Sequence, residues 1–118
     1  MPIHRDPGGY ERALTTGTTT NAYVTIVDAD TRDGESFLGV VKNTDTTNSL
    51  DVDLYTRTIY GDSDTQARVT DFPKSITGGG TNYGDIQIEE PVERVLIKVK
   101  DTVADSHADF TVLRKTKV

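Results

Sequence analysis

At 118 residues, 34% hydrophobic and 27% charged, the chain is long enough to enclose one hydrophobic core and too short for two, with the composition of a folding domain. A net charge of −6 argues against nucleic acid as a partner, because phosphate binding draws its affinity from clustered Lys and Arg. The absence of cysteine excludes disulfides and thiolate chemistry, and no apolar run approaches the roughly 20 residues of a bilayer span, so a soluble protein without a membrane partner is expected.

Residues 1–9 carry no signal-like apolar segment, and their two prolines and adjacent glycines predict an extended arm. Tyr10 to Leu14 fits either a helical turn or a first strand, while Thr15 to Thr20 favours extended backbone with a break at Gly17. The first clear strand is Ala22 to Asp28, with Val24 and Ile26 on one face and Tyr23, Thr25 and Val27 on the other. Ser36 to Asn43 is nearly continuous in apolar character, which predicts a strand covered on both sides over its middle.

Thr44 to Asn48 reads as a polar turn into the alternating strand Leu50, Val52, Leu54, whose other face is acidic through Asp51 and Asp53. Gln66 to Thr70 reads as a short edge strand, and Phe72 is held out of α geometry by Pro73. Ile76 to Gly84, with three consecutive glycines at 78–80, predicts a mobile loop or contact tip. Asp85 to Glu89 alternates, Val92 to Lys100 points Val95, Ile97 and Val99 inward, and His107 to Leu113 forms the last strand.

The expected fold is therefore all-β: a single antiparallel β-sandwich of about seven or eight strands, immunoglobulin/fibronectin-like or jelly-roll-like, with an extended N-terminal arm. The expected divisions are an arm with a possible first strand at 1–20, the sandwich at 21–114 and a basic tail at 115–118.

Chemistry has few footholds. The acidic stretch from Asp28 to Glu35 looks like a calcium loop, but Arg32 occupies a ligand position, Asp33 the glycine position and Gly39 the closing-glutamate position. Asp28, Asp30, Asp33 and Glu35 remain a candidate for a different calcium geometry, against the reading of a solvated acidic turn. His4 and His107 stand far apart, and Asp105, Ser106 and His107, as sequence neighbours, cannot converge as a triad. Glu89, Glu90 and Glu93 lack the tryptophan-lined cleft that a glycosidase pair would use. No enzyme activity and no cofactor are expected.

Surface contact is the remaining business of such a chain. Candidate partner-binding residues are Ile3, His4 and Arg5 of the arm, Tyr10, Tyr55 and Tyr83 as aromatic handles, Gly79 at the glycine loop, and the basic cluster Arg114, Lys115 and Lys117.

Three features in order carry a resemblance: Phe37 to Thr44 followed by Asn48 to Leu50 and the strand holding Tyr55; the glycines 78–80; and Pro91 to Asp101 before a final strand. Over about residues 22–113 the chain resembles small β-sandwich structural proteins of tailed bacteriophages. The resemblance implies a virion protein, assembled in the host cytoplasm, that decorates or cements a capsid by bridging subunits of the major capsid protein, as a homo-oligomer or in many copies. Two alternatives stand beside it: a carbohydrate-binding or adhesion module, and a phage tail or head-tail connector component.

Overall fold

A computed structural model describes residues 3–5, 10–30, 37–58, 65–66, 72–80, 82–88 and 92–117, and these are strands and their connections without helix. The strands are β1 (Ile3–Arg5), β2 (Tyr10–Thr18), β3 (Val24–Asp30), β4 (Phe37–Asn43), β5 (Leu50–Thr58), β6 (Thr65–Gln66), β7 (Lys74–Ile76), β8 (Tyr83–Ile88), β9 (Val92–Asp101) and β10 (Asp109–Lys117). One sheet has the order β1-β2-β10-β4-β8. The other runs β3-β9-β5, and the far edge of β5 pairs with β7 along Leu50–Val52 and with β6 at Tyr55–Thr56. Every pairing is antiparallel.

Setting aside the short β1 and β6, the chain alternates between sheets except from β5 to β7, which pair with each other, to give β2-β10-β4-β8 facing β3-β9-β5-β7. That order is a jelly roll, which decides between the two sandwich types the sequence allowed. Most sequential strands thus meet across the sandwich instead of as hairpins, because each strand's apolar side must find a partner layer.

The core lies between the sheets. Phe37, Val41, Ile86, Ile88, Phe110 and Val112 from the first meet Val27, Leu50, Val52, Leu54, Ile76, Val95, Ile97 and Val99 from the second, all buried. The inward phase expected for Val95, Ile97 and Val99 is the observed one.

Several local expectations are corrected. Gly17 does not break a strand: β2 runs through it, and a Cβ there would meet the Phe110 ring at 2.9 Å, so glycine leaves room for that ring. In β3 the inward residues are Val27 and Ala29, and Val24 is 47% exposed. A bulge between Thr25 and Val27 resets the phase that simple alternation gives Val24 and Ile26.

The sheets also reach beyond residues 21–114. Residues 3–5 pair with 11–13, and β2 and β10 pair from Thr18 opposite Asp109 to Tyr10 opposite Lys117. A long in-register ladder satisfies backbone groups that an arm and a tail would leave to water.

The glycine loop is held, not free. Gly79 and Gly80 each donate an N–H to the Asp45 carbonyl at 2.9 Å. A Cβ at Gly78 would lie 2.6 Å from the Thr47 carbonyl, a contact only glycine allows. The buried Asn43 amide ties the same region together, donating to the carbonyls of Asn48 and Ile76 and accepting from the Asp45 N–H.

Candidate docking face

The two outer faces of the sandwich differ in chemistry. On the first sheet, Leu113 of β10 stands opposite Leu14 of β2 on one side and Val40 of β4 on the other, forming an apolar row across three strands. Leu14 is 41% exposed and Leu113 42%, and Val40 and the neighbouring Leu38 are half-buried. Between β10, β4 and β8 the surface sinks into a shallow groove of about 290 Å³ whose walls include Leu38, Val40, Leu113, Lys115, Asp85 and Gln87.

This face explains the continuous apolar run of β4. Leu38 and Val40 point away from the core, since Phe37, Gly39 and Val41 take the buried phase. The expectation that β4 is covered on both sides is corrected: its outer side is half-buried against Leu113 and Lys115 of β10, its register partners.

The second sheet turns a paired polar surface outward. Arg94 makes a two-bond ion pair with Asp28, Nε to Oδ1 at 2.7 Å and Nη2 to Oδ2 at 2.6 Å. The Lys98 ammonium sits 4.2 Å from the centre of the Tyr55 ring. Asp51 accepts from Ser75 and Thr102 hydroxyls and faces Lys100 at 3.8 Å. Leu96, on the outward phase between Val95 and Ile97, is nevertheless buried. Burial raises the Tyr23 hydroxyl above its ordinary 10.0, with the carboxylates of Asp51 and Asp53 adding to it.

One end of the sandwich is fastened by side chains. The buried Asp101 carboxylate accepts from the Thr19 hydroxyl and pairs with His107 Nδ1 at 2.8 Å, while Thr19 Oγ1 accepts from the Ala108 N–H. Asn21 and Asp105 exchange two bonds of 2.8 Å. Asp101 and His107 have the geometry of an oriented imidazole, but Thr19 bonds the carboxylate and not the ring, so the trio is a strut between β2, β9 and β10 and not a nucleophile with its base.

The residues singled out in the sequence do not converge. Tyr55 belongs to the outer face of the second sheet and Tyr83, 62% exposed, stands opposite Lys42 on the first, so the two rings cannot form one sugar platform. Arg114 takes the inward phase opposite Ala13 and Gly39, whereas Lys115 lines the groove, which splits the basic cluster between two sides. Gly79 is exposed on the pinned loop. Ile3, His4, Arg5, Tyr10 and Lys117 are placed by backbone pairing in β1, β2 and β10.

Of the calcium candidates, both Asp28 oxygens engage Arg94, Asp30 stands opposite Arg94 in the ladder, and Asp33 and Glu35 lie outside the described residues, as do Glu89 and Glu90. No group of three His, Asp or Glu among the described residues is placed to hold a metal ion.

Leu14, Leu38, Val40, Lys42 and Leu113 escaped sequence reasoning as a set. The available signal was the outward phase of a run too apolar for a one-sided strand.

No known protein family and no curated protein matches the chain. Solved structures do share its fold. The subunit of the disulfide-linked pili of Bacillus endospore appendages aligns with a TM-score of 0.56 at 10% identity, covering 100% of this chain and 99% of that one. The Yersinia pseudotuberculosis-derived mitogen aligns at 0.53 with 15% identity over 91% and 86% of the two chains. YomS, derived from the SPBc2 prophage, aligns at 0.50 with 16% identity over 89% and 93%. At these identities the likeness is one of architecture.

Proposed function

We propose that this chain is a virion structural protein, and specifically an outer capsid decoration protein that stabilises a shell by bridging its subunits. The observation that carries the reading is the apolar row Leu14, Leu113, Val40 on the outside of a rigid jelly roll. A sheet face that already has its core on one side gains nothing for folding from exposed leucines on the other, and contiguous apolar surface of this kind marks contact with another macromolecule. The architecture recurs in viral capsid domains, and its presence in a prophage-derived protein supports the same setting. The likeness to a pilus subunit supports a part in an assembly, but not by the same chemistry, since a chain without cysteine forms no disulfide link.

The test is recovery with particles. Purified phage heads should carry the protein in fixed stoichiometry to the major capsid protein, and heads stripped of it should lose infectivity or release DNA at lower temperature. Recovery at a few copies per particle in the tail fraction would favour the connector reading. Binding to a glycan array, lost on Tyr83→Ala, would favour the carbohydrate reading, with the groove beside Tyr83 as its site.

A further inference from the structure

We draw no further inference here: the strongest candidate, the apolar surface patch of Leu14, Leu113 and Val40 on the outer face of the first sheet, carries nothing more, because its margin mixes Lys42 with the acids Asp85 and Asp109 and nothing in the structure shows what covers it.

Discussion

The two outer faces of this sandwich are built from the same secondary structure and answer to different needs. The β9 face carries Lys98 against Tyr55, Arg94 against Asp28 and Lys100 against Asp51, and buries Leu96. The β10 face leaves Leu14 and Leu113 in water. The first outer side is satisfied within its own chain; the second leaves leucine side chains exposed. Exposed apolar surface contributes nothing to the isolated fold, and this row is the ground of the proposed docking role.

The contrast can be broken most directly at the two leucines. Leu96→Ala should destabilise the protein by about 2–4 kcal/mol, the cost of emptying a buried leucine site, whereas Leu113→Ala should stay within about 0.5 kcal/mol. Urea denaturation of both variants reads the difference. Equal costs would mean that the two faces are alike in the free protein.

A smaller effect belongs to the Lys98 and Tyr55 contact. Tyr55→Leu keeps apolar bulk and removes the ring's attraction for the ammonium, and should cost about 0.5–1 kcal/mol. The same change made with Lys98→Met already present should cost less, so a double-mutant cycle isolates the pair.

Arg94→Gln should cost about 0.5 kcal/mol at low ionic strength and little in concentrated salt, because both partners are partly exposed. A salt titration of stability checks it. On the β10 face, Lys42→Gln should leave stability unchanged at every salt concentration.

The smallest effect lies on neither face. Backbone N–H bonds from Asn48 and Thr47 hold the Asp45 carboxyl below its ordinary 3.8. A carboxyl with a depressed folded-state pKa adds stability that is fully present above the ordinary value and is lost as pH falls through the folded one. Asp45→Asn should therefore flatten the acid limb of the stability profile below about pH 4 and leave the neutral region lowered by a constant amount.

The inward phases of β5, β8 and β9 were legible from alternation, as Leu50, Val52 and Leu54 show, but the outward side was less wet than the acidic pattern suggests, since Asp53 is buried as Leu96 is. The phase of β3 was not legible, because a bulge is invisible to a rule of two. Gly17 and Gly78 read as breaks or freedom, yet each is fixed by a remote neighbour, the Phe110 ring and the Thr47 carbonyl, that adjacent residues do not announce. The short strand β7 was hidden for the same reason: Lys74 to Ile76 is strand only because Leu50 to Val52 lies beside it.

The apolar outer face was half legible. The run from Phe37 to Val41 signalled apolar character on both sides of β4, and the natural inference was two covering layers. Only the strand order β2-β10-β4 brings Leu14 and Leu113 alongside Val40, across sequence separations that no local pattern spans. The jelly roll itself was beyond the sequence, since hairpins and cross-sandwich arches are written with the same turn residues.

The ladder between β2 and β10 places Tyr10 directly across from Lys117. Tension applied through those two residues would peel the strands apart pair by pair, like a zipper, instead of sliding them past each other along their length. A strand pair loaded this way yields at low force, because its hydrogen-bonded pairs carry the load one after another and not together.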